Sequence, residues 1–387
     1  MPPLALPPRP RILVVALRRL GDVLFTTALT ASLRQAYRDA VIDVLVFEGT
    51  AGILAGNPDI DRVVTVPPRP GIWGTLRLAS RLAKRYDLAI STQSGDRPTL
   101  FALIAGRRHA GPVDGGTRGA IRRLALWRSV TPQPGAHRLE DMLRLADALG
   151  VTRVGHLVCP RSAGDLGNAG VPPALSATAG HSALAGEKEQ AGRLRSQGGR
   201  DYAVLHAAPM FHYKRWTADG WRALAAHLQA RGLAVVATGG TAAAERAWLD
   251  EVWGPLPDVE RCDGRLSWPQ LAHLLRGARL YAGPDTSVTH LAAAAGCPTI
   301  ALFGPTDPRL WGPVPAEGLD PMWEAASTVQ RRKNVWLVQH PLPCLPCQNE
   351  GCERHVASFS RCLDELQPVQ VLRVVDAALG AVPVAAV

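Results

Sequence analysis

At 387 residues the chain exceeds the size at which one hydrophobic core usually keeps growing, so two domains are the expectation. Its 47% hydrophobic and 20% charged residues exclude a largely disordered chain, and no run reaches the roughly 18 apolar residues of a membrane span. The 43 basic and 33 acidic residues leave a net charge of +10. That implies an anionic partner (nucleic acid, membrane or phosphorylated substrate) without choosing among them. The opening MPPLALPPRP is too proline-rich for a signal peptide, so a cytoplasmic location is expected. The seven cysteines then do not read as a disulfide framework. Cys159, Cys262 and Cys297 are scattered and read as small core residues.

In chain order, Arg11–Leu17 is an apolar run after a polar lead, the pattern of a strand buried on both faces. The turn Arg18-Arg-Leu-Gly-Asp22 leads into helical spacing through Val23, Leu24, Thr27, Ala28 and Ala31, and Val41–Phe47 reads as a second strand. Strand, helix, strand makes a right-handed βαβ unit. A helix around Leu76–Arg85, a strand at Leu88–Thr92 and a helix at Asp141–Leu149 continue the alternation. Residues 161–192, rich in Gly, Ala and Ser, read as the end of a first domain (1–192) and a linker. A second series, in 193–387, starts afresh. Its strands are expected at Tyr202–Leu205, Ala234–Thr238, Leu280–Ala282 and Thr299–Phe303, and its helices at Ala218–Arg231, Ala242–Trp253, Trp268–Arg276 and Val288–Ala295. Two doubly wound parallel-sheet domains, Rossmann-like and facing a cleft, are the architecture this alternation predicts. Ligands in such sheets bind beyond the carboxyl ends of the strands.

The candidate residues sit in those strand-to-helix loops. In Leu280-Tyr-Ala-Gly-Pro-Asp285-Thr-Ser-Val-Thr-His290 a strand meets an acidic N-cap and a helix. The amides of Thr286, Ser287 and Val288, with the helix dipole, suit a pyrophosphate. Asp285 as a mere cap and His290 as a core histidine are the plain alternatives. Strand Thr299–Phe303 leads into Gly304-Pro-Thr306-Asp307. Strand Tyr202–Leu205 leads toward Lys214, a cation for a phosphate, with Thr217 placed to cap the next helix. Strand Ala234–Thr238 ends in Gly239-Gly-Thr-Ala-Ala-Ala-Glu245, where a glutamate suits ribose hydroxyls. Four loops on one edge fit one ligand, a nucleoside diphosphate.

Between Arg97 and Arg138 lie eight arginines (97, 107, 108, 118, 122, 123, 128 and 138) and one acid, Asp114. They form either a solvated basic face or, since the guanidinium fork suits phosphate and carboxylate, an acceptor groove or a patch for anionic lipid. No nucleic-acid-binding module accompanies them, so nucleic acid is not an expected partner. Cys344-Leu-Pro-Cys347 with Cys352 and Cys362 supplies four thiols, enough for a tetrahedral metal; reduced thiols without metal are the alternative. In either case the cluster reads as structural.

Arg-Leu-Gly-Asp22, Lys-Arg-Trp216, Gly-Pro-Asp285-Thr-Ser-Val-Thr-His290 and Leu-Phe-Gly304-Pro-Thr-Asp307 occur in the order found in the ADP-heptose:lipopolysaccharide heptosyltransferases, glycosyltransferase family nine, which the chain resembles from about residue 11 to 375. The resemblance implies a GT-B fold and an inverting, metal-independent transfer of heptose from ADP-heptose to the inner core of lipopolysaccharide. It implies Asp22 as the base, contributed by the acceptor-side domain, Lys214 on the diphosphate, and Asp285 on sugar hydroxyls. Glu245, Thr286, Ser287, His290, Thr306 and Asp307 complete the donor side, with Arg18, Arg107, Arg108, Arg122 and Arg123 for the acceptor. The helix-start field that stabilises a carboxylate also weakens it as a base. Asp22 must therefore be desolvated on closure or act by orienting the hydroxyl. Similar cysteine clusters recur in family members and in related autotransporter heptosyltransferases, where an iron site is known, so zinc or iron at Cys344, Cys347, Cys352 and Cys362 is implied. No cofactor is needed for catalysis, and peripheral contact with the inner face of the inner membrane is in keeping with a lipid acceptor. The rival readings are a transferase acting on protein and a non-catalytic nucleotide-sugar or metal-binding assembly protein. The second is opposed by the presence of Asp22, Lys214 and Asp285 together. Oligomeric state is not legible.

Overall fold

The computed structural model describes residues 3–162 and 201–380. Nearly all of the expected linker, 161–192, lies outside the described residues. The chain forms two compact units, Met1–Pro160 with Arg309–Met322, and Arg161–Pro308 with Trp323–Val387. Segment 309–322, expected in the second domain, therefore clusters with the first unit. It is held there by the Gly312 carbonyl, 2.8 Å from His137 Nε2, and by Trp311 under the Arg138 guanidinium at 4.7 Å.

The first unit is a six-stranded parallel sheet in the order β3-β2-β1-β4-β5-β6. Its strands are Arg11–Ala16 (β1), Val41–Phe47 (β2), Arg62–Val66 (β3), Tyr86–Ser91 (β4), Gly106–Pro112 (β5) and Arg128–Val130 (β6). Strand β1 is central, and Ile12, Leu13, Val14 and Val15 have no exposed surface, as a strand covered on both faces requires. Helices α1 (Leu20–Ala36) and α5 (Arg138–Ala148) pack on each other. The connections β3→β4, β4→β5 and β5→β6 step the other way across the sheet. Right-handed crossovers therefore place α2 (Gly71–Leu82), α3 (Asp96–Ala105) and α4 (Gly116–Ala125) on the opposite face. Buried hydroxyls on α1 bond back to its own carbonyls, and two of them also accept backbone amides from the returning chain. Thr27 Oγ1 takes Val158 N–H and Ser32 Oγ takes Val154 N–H, each at 2.9 Å.

The second unit repeats the plan. Its strands are Tyr202–Leu205 (β7), Ala234–Ala237 (β8), Val259–Arg261 (β9), Leu280–Pro284 (β10), Thr299–Leu302 (β11), Val329–Arg332 (β12) and Val335–Val338 (β13), in the order β12-β13-β11-β10-β7-β8-β9 with only β12 antiparallel. Helices α6 (Ala218–Ala230), α7 (Ala243–Trp253), α8 (Trp268–Gly277) and α9 (Ser287–Ala294) link the strands. Thr217 caps α6 by accepting from Gly220 N–H at 3.1 Å. The core is built on Trp216, Trp221 and Trp253. Gly220 has to be glycine because a Cβ there would run into the Trp216 ring. In both sheets the strand order reverses next to the first strand, between β1 and β4 and between β7 and β10. Such switch points open a crevice at the carboxyl edge.

Candidate active site

In the second unit the switch point is where β7 and β10 end. Lys214 lies on a single turn, His212–Lys214, whose base is fixed by His212 Nδ1 at 3.0 Å from the Ser358 carbonyl and by Trp216 Nε1–H donating to Leu366 O at 2.8 Å. Its ammonium meets Asp285 Oδ2 at 2.5 Å. His290 Nε2 stands 3.8 Å from the other oxygen. Burial alone would raise the Asp285 carboxyl; the Lys214 ammonium and the His290 ring overcome that and hold it well below the usual carboxylate range. Asp285 is not the N-cap expected from the sequence. Strand β10 runs on to Pro284, and the extended residue before the helix is Thr286, whose hydroxyl accepts from Thr289 N–H. That one-residue offset frees the carboxylate to pair with Lys214. The turn is shaped by Thr289 Oγ1, which donates to the Pro284 carbonyl at 2.5 Å and lies 2.9 Å from the Tyr281 hydroxyl. A side chain at Gly283 would collide with that hydroxyl.

The neighbouring loops come to the same sheet edge. Glu245, in the first turn of α7, accepts the Gly240 N–H at 2.5 Å and so folds the glycine loop after β8 onto its own helix. Thr286, Ser287 and Thr306 are half-buried and Asp307 is buried. His206, the residue after β7, is missing from the sequence-derived set. Burial pushes its imidazole down to about 4, and its Nδ1 lies 3.1 Å from the Thr238 carbonyl. It is a neutral strut joining the ends of β7 and β8.

In the first unit, Asp22 occupies the first turn of α1, directly after β1, with Arg18 3.8 Å away. Arg18 Nε donates to Gln93 Oε1 at 2.7 Å, and Gln93 Nε2 donates to the Leu17 carbonyl at 3.0 Å. The switch-point crevice thus carries a carboxylate, a guanidinium and an amide. A small cleft beside it is lined by Arg18, Gln93, Ser94, Arg138 and Arg144, among others. Sequence reasoning missed Gln93 and Arg144. The first was findable, as a polar residue just past a central strand; the second lies mid-helix and carries no signal. The basic run divides. Arg122 is tied to Asp96 and, at 3.7 Å, to Asp114. Arg108 donates to the Ala5 carbonyl at 2.8 Å and stacks over Trp127. Arg123 donates to Thr131 Oγ1 at 3.0 Å, and Arg107 is exposed. None of these four lines the cleft that Arg18 lines.

Cys344 and Cys352 are exposed, Cys347 half-buried and Cys362 buried. Burial pushes the Cys362 thiol up to about 12, reinforced by Cys347, Cys352 and Cys344, so each of the other three sulfurs lies within electrostatic reach of Cys362. The Arg361 amide donates to Cys352 Sγ at 3.4 Å. Among the described residues no group of three or more His, Cys, Asp or Glu is arranged to hold a metal ion, and no described helix is long and apolar enough to cross a membrane.

The profile of glycosyltransferase family 9 (heptosyltransferase) matches residues 75–334. Lipopolysaccharide heptosyltransferase 1 of Pseudomonas aeruginosa is 30% identical over 377 residues, 94% of this chain and 93% of that protein. Among solved structures, Escherichia coli heptosyltransferase WaaC with ADP superposes with a TM-score of 0.68 at 22% identity, over 95% of this chain and 99% of that one. The iron-containing dodecameric glycosyltransferase TibC of enterotoxigenic E. coli gives 0.53 at 15% identity, over 96% and 76%.

Proposed function

Because the chain belongs to glycosyltransferase family 9, the heptosyltransferases, we propose that it moves a heptose from ADP-heptose to the inner core of lipopolysaccharide, with inversion. The observation that carries this reading is the Lys214–Asp285 pair beside the start of α9. Diphosphate departure needs fixed donors and positive potential; here the amides of α9 supply the positive end, and Lys214, its charge offset by Asp285, supplies a hydrogen-bond donor where a metal would otherwise serve. Asp285 beside an anionic ligand is paradoxical until its charge is counted with that of Lys214. The pair is neutral, so the carboxylate can accept sugar hydroxyls without repelling the phosphates. His290, Thr286 and Ser287 line the sugar and diphosphate end; Glu245 takes the ribose; Thr306 and Asp307 close the donor side. Asp22 deprotonates or orients the acceptor hydroxyl, and Arg18 holds an acidic acceptor group. The enzyme acts in the cytoplasm, at the inner face of the inner membrane.

The experiment is transfer by the purified chain to lipopolysaccharide free of heptose and to cores truncated after one or two heptoses, read by mass spectrometry. One added heptose from ADP-heptose, and none from UDP- or GDP-sugars, is expected; transfer from a uridine donor alone overturns the reading.

Four thiolates at Cys344, Cys347, Cys352 and Cys362 are the donor chemistry that zinc or iron takes, although as placed here they are not drawn together around one ion. Three of the thiols lie within electrostatic reach of the buried Cys362, and Cys362 itself lies beside the Gly304 loop, where a Cβ at Gly304 would be 3.4 Å from its Sγ. A bound ion would lock the C-terminal segment under the Gly304–Asp307 loop, a structural role. About one metal per chain is expected; elemental analysis showing none, with all four thiols alkylated in the native protein, sinks it.

A further inference from the structure

Helices α2 and α4 expose apolar side chains that a packed face would bury. On α2, Ile72 is 72% exposed, Trp73 81% and Leu76 53%; on α4, Ile121 is 64% and Leu124 90%, with Trp127 just beyond it at 39%. The inward face of α2 is already used, since Leu78 and Leu82 pack on the core that contains Val66 and Phe101. Among the described residues, therefore, nothing covers the outward ones. Between the two helices, α3 exposes Leu100. Its first turn ties the layer together: Arg97 donates to the Pro67 and Pro68 carbonyls just before α2, and Arg122 of α4 pairs with Asp96. All three helices share one side of the sheet.

The charge on this layer is predominantly basic, with Asp96 of α3, paired to Arg122, the acid in its helices. From Arg62 to Arg85 there are six basic residues (Arg62, Arg69, Arg77, Arg81, Lys84 and Arg85) and no acid, and neither α2 nor α4 contains an acidic residue. Tryptophan and leucine on one face with arginine around them is the composition of a helix that lies in a membrane interface. A second copy of the same face would bring like charges together, whereas anionic headgroups over acyl chains satisfy both features at once.

We propose that α2 and α4 form an interfacial docking surface that inserts Trp73, Leu76 and Leu124 into an anionic lipid bilayer. The surface takes its purpose from the lipid-anchored acceptor proposed above: it brings the first unit to the plane in which that acceptor lies.

The test is flotation of the full chain with vesicles of phosphatidylcholine, with and without about 30% phosphatidylglycerol, at low and high salt. Wild type is expected to float with the anionic vesicles, at least tenfold more than with the neutral ones, and to be released by salt. The Trp73→Ser/Leu124→Ser variant, whose changes lie on exposed positions, should lose at least tenfold in partitioning. Arg77→Glu/Arg81→Glu should lose the preference for anionic lipid. Transfer to a water-soluble core oligosaccharide should be unchanged in Trp73→Ser/Leu124→Ser. Failure of docking and failure of the proposed reaction are thereby separated, because a chain that floats without transferring, or transfers without floating, contradicts only one of them. Equal flotation on neutral vesicles, undiminished flotation of the serine variant, or sedimentation showing a dimer that those serines dissociate would overturn the proposal.

Discussion

Asp22→Asn will lower turnover by about 10²–10⁴-fold, the range general-base catalysis contributes, at unchanged affinity for ADP. The side chain stands in the first turn of α1, 17% exposed, beside Arg18 at 3.8 Å. Asparagine keeps its shape and its capacity to accept a hydrogen bond, and the ion pair with Arg18 that it gives up is partly exposed and worth little. The donor residues proposed here, Lys214, Glu245 and Asp285, belong to the other compact unit and are untouched. The substitution removes the proton acceptor alone, and the loss falls on the transition state and not on ground-state binding. Steady-state kinetics beside calorimetric ADP titration separate the two. Near wild-type turnover in this variant places the base elsewhere and ends the role given to Asp22.

Strands β1, β2, β4, β7, β8, β10 and β11 were legible because burial on both faces selects continuous apolar runs, with Asp43 of β2 tolerated inside only because Arg62 and Tyr86 bond to it. Leu13-Val14-Val15, Val204-Leu205 and Val235-Val236 are apolar runs whatever surrounds them. The helices on the α2–α4 side were not. Helix α2 starts at Gly71, well before the expected Leu76. Its first turn points Ile72 and Trp73 at solvent, which inverts the pattern that periodicity relies on. The arginine-rich segment hides α3, β5, α4 and β6 for a related reason. Strand β5 carries Arg107 and Arg108, and α4 has arginines and exposed aliphatics in place of a buried stripe. Strands β12 and β13 turn at Lys333, whose φ is 53°, a hairpin geometry for which lysine gives no cue.

The site was legible where topology does the gathering. Lys214 and Asp285 are 71 residues apart, and their meeting followed from placing both loops at the carboxyl edge of one sheet. What topology does not fix is the residue-level detail of a turn. Asp285, Thr286 and Ser287 are all capable caps; only the extended backbone of Thr286, φ −143°, decides which one serves. Gln93 escaped because amides are common in loops, and its distinction is solely that it answers Arg18 across the switch point.

Lys214→Ala will weaken ADP binding at least tenfold and cost about 3–5 kcal/mol of stability, the loss expected when one partner of a buried ion pair is removed. The pair is close, 2.5 Å, with side chains only 19% and 9% exposed. Without the ammonium, burial pushes the Asp285 carboxyl toward its neutral form, and His290 at 3.8 Å is a poor substitute. The pH dependence has a defined sign. The folded carboxyl lies well below its ordinary value, so the pair's contribution is complete above the unfolded value of about 4 and fades as pH falls below it. The stability gap between wild type and Lys214→Ala should accordingly be widest near neutrality and shrink toward pH 3. Asp285→Asn behaves differently. It removes a negative charge from an anion site, so ADP is captured at least as well, while capture of the intact sugar nucleotide falls through loss of the hydroxyl acceptor. The double variant Lys214→Ala/Asp285→Asn should recover most of the stability, because no buried charge is left unpaired, and none of the ADP binding. Denaturant unfolding across the pH range, with calorimetric titration of ADP and of ADP-heptose, measures all three. If Lys214→Ala binds ADP as wild type does, the diphosphate lies away from the β7–β10 crevice and the donor site built on it is wrong.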